Sequence, residues 1–195
     1  MEEKVVHLKD GTEVLIRPLT TEDGDKSFAF FQALPEEDRR FLRYDVTKRP
    51  NIDRRIKEIG FGSVERIVAV INDEIVADGA LEFSGGEWTS HIGEFRLIVA
   101  RPYQRKGLGV LMARELYTLA TSRKVEQIVV RMAAPQVNAR KIFSRLGFRE
   151  DSILPGLIKD RTGAMQDMVV MRCDLQAMWQ ELENFFAHSD WQRTR

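Results

Sequence analysis

Apolar positions along the chain recur at two different periods, and the changes of period mark the elements. Residues 5–8 and 13–17 flank Asp10-Gly11 and read as a β-hairpin, with Pro18 ending its second strand. Thr21-Glu22-Asp23 starts a helix that presents Phe28, Phe31 and Leu34, and Pro35-Glu36-Glu37-Asp38 starts another carrying Phe41 and Leu42. Residues 51–59 predict a third short helix, stopped by Gly60 and Gly62. Strands follow at 66–71 and 75–83, turning at Asn72-Asp73, and a turn at Gly85-Gly86 leads into a long strand over 91–100. Helical spacing returns with Leu108, Leu111, Met112, Leu116 and Leu119. A Val/Ile-rich strand at 126–132 and a short amphipathic helix from Val137 come next, and Gly147 sits where the residue after a helix end is expected. Strands at 152–159 and 168–174, joined by Asp160-Arg161-Thr162-Gly163-Ala164, close the pattern. The elements predict an α/β (α+β) domain over residues 1–175. From residue 176 to 195, Met178, Trp179, Leu182, Phe185, Phe186 and Trp191 predict an added amphipathic helix, packed on that domain or at a homodimer interface.

One junction carries chemistry. The apolar strand ending at Val99 passes through Gln104-Arg105-Lys106-Gly107-Leu108-Gly109 into a helix. A glycine in such a turn tolerates positive φ and lets backbone N–H groups approach a bound group, while the new helix aims its unpaired donors and dipole at the same point. A phosphate or pyrophosphate fits there. The ATP-binding loop GxxxxGK[ST] is excluded, because no Lys-Ser or Lys-Thr follows the second glycine; the dinucleotide pattern GxGxxG fails at Met112.

What fits is [RQ]xxGx[GA], followed about thirty residues later by a helix closing on Leu146-Gly147-Phe148. In these two motifs, and in their order, the sequence resembles the GNAT acyltransferase superfamily; in its opening segment and at Glu94 it also looks like the GNAT domains of bacterial protein-lysine acetyltransferases. The opening segment Leu15-Ile16-Arg17-Pro18 followed by Asp23 adds a less specific likeness. The resemblance covers roughly residues 12–175 and implies a GNAT fold, a mixed sheet of six or seven strands with two central strands splayed apart and helices around it. It also implies acetyl-CoA as acyl donor. The pyrophosphate would lie on Gln104, Arg105, Lys106, Gly107, Leu108, Gly109 and Val110, and the pantetheine arm along Leu97, Ile98 and Val99, with Asn138 and Phe143 on the second motif helix.

Composition narrows the partners. Lys plus Arg and Asp plus Glu number 30 each in 195 residues, so no net basic field draws in nucleic acid. A lone cysteine, Cys173, makes no internal disulfide and suits a reducing cytoplasm. No apolar run is long enough to span a membrane, the N-terminus has no export signal pattern, and no His/Cys/Asp/Glu cluster has metal-ligand spacing.

Acyl transfer to an amine needs a neutral nucleophile, and a lysine ammonium with a reference pKa of about 10.4 is almost wholly charged at pH 7. Glu94 is the best placed base, and its position matches the catalytic glutamate of the protein-lysine acetyltransferases. The bland alternative is a surface pair with Arg96, two residues on along the same strand face. Glu82 is the next carboxylate; His91, at a strand start, reads as an ordinary packing residue. The family often places a tyrosine as general acid four residues before the glycine of LGF, and here that position is Phe143. The family's asparagine slot holds Gln136, with Asn138 two residues later. The expected activity is acetyl-CoA-dependent N-acetylation of a primary amine, either on a protein lysine or on a small molecule. An acyl-CoA-binding regulatory module is the alternative that the missing hydroxyl raises.

Overall fold

The computed structural model describes residues 2–83 and 85–177, so the tail helix expected from residue 176 lies almost wholly outside the described residues. The strands are β1 (Lys4–His7), β2 (Glu13–Pro18), β3 (Val64–Ile71), β4 (Glu74–Phe83), β5 (Ile92–Val99), β6 (Gln127–Ala133), β7 (Arg149–Lys159) and β8 (Met165–Asp174). They form one sheet in the order β1-β2-β3-β4-β5-β6-β8-β7, which makes eight strands where six or seven were expected. Both strands of the opening hairpin join the sheet, because β2 pairs along β3 from Leu15 to Pro18. Every neighbouring pair is antiparallel except β5 and β6.

The helices are α1 (Gly24–Ala33), α2 (Glu36–Arg39), α3 (Arg49–Lys57), α4 (Leu108–Ser122) and α5 (Val137–Arg145). On one face of the sheet, Phe30, Phe31 and Ile52 of α1 and α3 pack on Val68, Val70 and Ile75. On the other face, α4 packs its Leu108, Met112 and Leu116 against Ile67, Leu81, Phe95 and Ile128. These three α4 side chains are fully buried, and burying each contributes about 2 kcal/mol. The N-terminus of α4 is therefore fixed against β5, which is what positions the glycine loop.

Most boundaries lie within two residues of the sequence pattern, and the larger differences are in α2, β7 and β8. α2 is a single turn ending at Arg39, so Phe41 and Leu42 lie beyond it. The chain turns away there, and Arg40 reaches Asp160 of the β7–β8 loop at 2.7 Å. β7 and β8 also run longer than expected, with register shifts between Glu150 and Ser152 and between Leu154 and Ile158, where Pro155 and Gly156 interrupt the ladder. No helix among the described residues is long and apolar enough to cross a membrane.

The turn from β2 into α1 is pinned by a buried ion pair. Both Asp23 oxygens accept from Arg17 at 2.7 Å, and one also accepts from the Thr20 N–H at 2.8 Å. The Arg17 hydrogen bonds are the main reason that the Asp23 carboxyl sits at about 2, below its ordinary 3.8, against the opposing effect of burial. A depressed carboxyl pKa adds stability above the unfolded value, and the contribution is lost as pH falls through about 4 towards 2. Asp23→Ala is expected to cost about 2 kcal/mol at pH 7 in urea unfolding. That difference should shrink steadily between about pH 4 and pH 2.

Candidate active site

β5 and β6 pair over three positions only, Ile92 with Gln127, Gly93 with Ile128 and Glu94 with Val129. Beyond them each strand keeps its other neighbour: β5 stays paired with β4 as far as Val99, and β6 with β8 as far as Ala133. The two strands therefore part like a fork whose crotch is Glu94. Backbone alternation shows which groups face the gap. The His91 carbonyl accepts from Glu126 and Gln127 on the β6 side, and the Ala100 N–H donates to Val76 on the β4 side. Odd-numbered residues between them point their backbone groups towards β6. Past the fork, those of Leu97 and Val99 face an open gap.

The loop at the end of β5 is a second set of open donors. The N–H groups of Arg105, Lys106, Gly107, Leu108 and Gly109 meet no hydrogen-bond acceptor among the described residues, while Val110 and Leu111 donate to the Gly107 carbonyl and start α4. Arg105 and Gly107 both have positive φ, 61° and 94°, which curls the chain so that successive N–H groups converge. Gln104 closes the turn by donating from Nε2 to the Val99 carbonyl at 2.8 Å. Lys106 pairs with Asp10 at 3.0 Å, and its carbonyl accepts from the Lys9 N–H, so the opening hairpin braces the loop. A row of N–H donors at a helix N-terminus suits a phosphate group.

Two cavities meet at the fork. A cavity of about 150 Å³ lies in the gap, between residues such as Leu97, Ile98, Val130 and Phe143. A larger one of about 1040 Å³ opens between α2, the segment after it and the β7–β8 loop. Phe41, Leu42, Arg43, Tyr44, Arg131 and Met132 line both. The larger cavity's two walls are tied by reciprocal ion pairs, Arg40 with Asp160 and Arg161 with Asp45, each at 2.7 Å. Hydrogen bonds from Thr162 and Arg40 hold the Asp160 carboxyl below its ordinary range, and those from Thr47 and Arg161 do so for Asp45.

Glu94 lines the smaller cavity beside Arg43 and Arg131, which line both, and its side chain is 13% exposed. Arg43 pairs with its Oε1 and Arg131 with its Oε2, so both oxygens are occupied. The expected partner Arg96 stands farther off at 4.0 Å and pairs instead with Glu82 of β4 at 2.9 Å. Burial pushes the Arg96 guanidinium below its ordinary value, and Glu82 pulls the other way. Arg43 and Arg131 escaped the sequence reading. Arg43 comes from an irregular segment, but Arg131 had left a signal: a charged side chain inside the apolar run Gln127–Ala133, in phase with Val129.

The remaining expected residues are spread more widely. Phe143 is buried edge-on against Phe148, their ring centroids 5.1 Å apart, and brings no hydroxyl to the gap. Gln136 also lines the gap, and its Oε1 accepts from the Ala133 N–H at 2.9 Å, while Asn138 is exposed on α5. Val110 is exposed on the first turn of α4. His91 lies at the paired end of β5, away from both cavities.

This architecture has known counterparts. Residues 63–150 match the family model described as acetyltransferase (GNAT) domain. The GNAT domain of PAT from S. lividans superposes with a TM-score of 0.74 at 17% identity, over 88% of this chain and 96% of that one. Ribosomal-protein-alanine N-acetyltransferase from Brucella melitensis gives 0.70 at 20% identity, over 82% and 98%. An N-acetyltransferase from Staphylococcus aureus Mu50 gives 0.72 at 14% identity, over 83% and 98%. The eight-stranded sheet with flanking helices thus has the fold of these acetyltransferases, and its middle part, residues 63–150, is similar to the GNAT domain model.

The two loop glycines are expected to behave differently in the free protein. Gly107 adopts a φ that side chains rarely take, whereas a Cβ on Gly109 would meet only Val99 Cγ2, at an ordinary 3.9 Å. Gly107→Ala should therefore lower unfolding stability by about 1 kcal/mol, and Gly109→Ala should leave it unchanged or slightly raised. Urea titrations without ligand check both.

Proposed function

We propose that this domain transfers an acetyl group from acetyl-CoA to a primary amine. The observation that carries the reading is the continuity of open backbone donors, from Leu97 and Val99 in the gap to the five unpaired N–H groups of Arg105 to Gly109. Those groups fit a ligand with a pyrophosphate at one end and an amide-bearing arm leading from it. Acetyl-CoA supplies the activated acyl group. The loop N–H groups and the Arg105 side chain hold its phosphates, and the Leu97 and Val99 edge holds the arm. The Val99 N–H serves as donor to the carbonyl oxygen as charge develops there, worth about 3 kcal/mol in comparable sites.

The amine enters from the larger cavity, and Glu94 is the general base that takes its proton. It lines the smaller cavity and pairs with Arg43 and Arg131, which line both, so an amine arriving from the larger cavity meets it next to the gap. With Phe143 lacking a hydroxyl, the departing thiolate takes its proton from solvent or another group. The acceptor reading is a lysine on a protein, because the larger cavity is open and its border mixes Arg, Lys, Asp and Glu, unlike the strongly acidic pocket that a polyamine would favour.

Acetyl-CoA at one hundred times its dissociation constant is expected to stabilise the fold by about 2.7 kcal/mol. Gly109→Val should remove that shift by placing a branched side chain beside the loop donors. Equal melting shifts in wild type and variant would sink the donor site. Glu94→Gln should lower turnover about 10²-fold or more with little change in acetyl-CoA affinity. Near full activity with the same acidic limb would place the base elsewhere, with Glu82 next to test. For the acceptor, acetyl-lysine blots of a cell extract treated with enzyme and acetyl-CoA should show discrete bands that Glu94→Gln fails to produce. If no protein is labelled while a free amine is acetylated with kcat/KM above about 10⁴ M⁻¹s⁻¹, the acceptor is a small molecule.

A further inference from the structure

Three guanidinium groups and two carboxylates form one cluster beside the smaller cavity, and its Arg43 and Arg131 also line the larger one. Arg43 pairs with Glu94 and lies 3.7 Å from Glu82, Arg96 pairs with Glu82, and Arg131 pairs with Glu94. One positive charge is thus in excess, on side chains that are 25% to 43% exposed. The Nε of Arg96 is buried with no hydrogen-bond partner, so donor capacity is unmet as well. The other acids around the larger cavity, Glu36 apart, are already engaged. Glu37 and Asp38 hold Arg101, Asp45 holds Arg161, and Asp160 holds Arg40. Glu36 is exposed on the α2 wall, and Lys159 at the mouth has no partner among the described residues.

The same cluster poses a problem for the base. Each Glu94 oxygen already accepts from a guanidinium, so an incoming ammonium has to compete with two paired cations for the carboxylate. A third carboxylate resolves both difficulties, because three guanidiniums would then face three anions and one Glu94 oxygen would be released.

We propose that the acceptor carries a carboxylate close to its amine, and that this carboxylate docks on Arg131 and draws it off Glu94. The inference rests on the acetyl-transfer reading and specifies its acceptor. The released Oε2 takes the proton from the acceptor ammonium. The neutral nitrogen then forms its bond to the acyl carbon, the carbon–sulfur bond breaks with the electron pair leaving on sulfur, and the second proton lost from nitrogen passes through solvent to the thiolate, giving the neutral amide and the thiol. Arg131 is suited to the exchange because it lines both cavities and its side chain is 43% exposed. Two sources supply such an acceptor, a lysine flanked by acidic residues in a polypeptide or a free amino acid.

The test is calorimetric binding to the protein saturated with CoA. The probes are a short lysine-centred peptide flanked by glutamates, the same peptide flanked by glutamines, and free glutamate. The glutamate-flanked peptide or free glutamate should bind at least about tenfold more tightly than the glutamine-flanked peptide, the size of one charge-assisted contact. Whichever of the two binds identifies the source. Arg131→Gln should bring the preference to within about twofold, and Arg131→Lys, which keeps the charge but not the fork, should restore part of it. Equal binding of all probes, binding of none, or a preference unaltered in Arg131→Gln overturns the proposal. The melting shift with CoA alone reads the donor site separately: its absence in the wild type would defeat the acetyl-transfer reading, whereas its presence with no carboxylate preference would defeat only this inference.

Discussion

The parting of β5 from β6 after three paired positions is the constraint on which the site depends. It is sustained because each strand is held from its other side: seven positions of β5 pair with β4, and seven of β6 with β8. The cost is a few unmade cross-strand hydrogen bonds, and it falls on groups that a ligand arm can satisfy. Had the strands run on together, Leu97 and Val99 would be closed inside a ladder and the gap would not exist. The fold thus keeps a length of unsatisfied strand edge at its centre, where edges are otherwise covered.

Around that gap the chain separates two kinds of recognition. The donor side is backbone: strand edge, curled loop and helix N-terminus, with α4 anchored through buried Leu108, Met112 and Leu116 so that the donors are held in place before any ligand arrives. The larger cavity is walled by side-chain charge, drawn from the segment after α2, from β6 and from the β7–β8 loop. Glu94 lines the gap itself, with both oxygens paired to guanidiniums that reach into the larger cavity.

The strand, glycine loop and helix that frame the gap were legible in the sequence, because they rest on local signals: apolar periodicity to Val99, two glycines at fixed spacing, and helical periodicity from Leu108. The hairpins were legible for the same reason. The charged cluster around Glu94 was not. The pairing of Arg43 and Arg131 with Glu94 joins residues 51 and 37 positions apart in the chain, and no local spacing encodes it. The local alternative, Glu94 with Arg96, is present only as a long contact of 4.0 Å, because Glu82 lies opposite Glu94 on the neighbouring strand and holds the same guanidinium at 2.9 Å. α2 proved shorter than its acidic start suggested, since a contact 120 residues away, Arg40 with Asp160, turns the chain out of the helix.

The central claim is that one ligand satisfies both the strand edge and the loop. Amide hydrogen exchange, followed residue by residue with and without acetyl-CoA, tests it most directly. The account predicts slowed exchange at Val99 and at Arg105 to Gly109 together, with β1 to β3 unchanged. Protection of the loop without Val99, or protection confined to other strands, would contradict it.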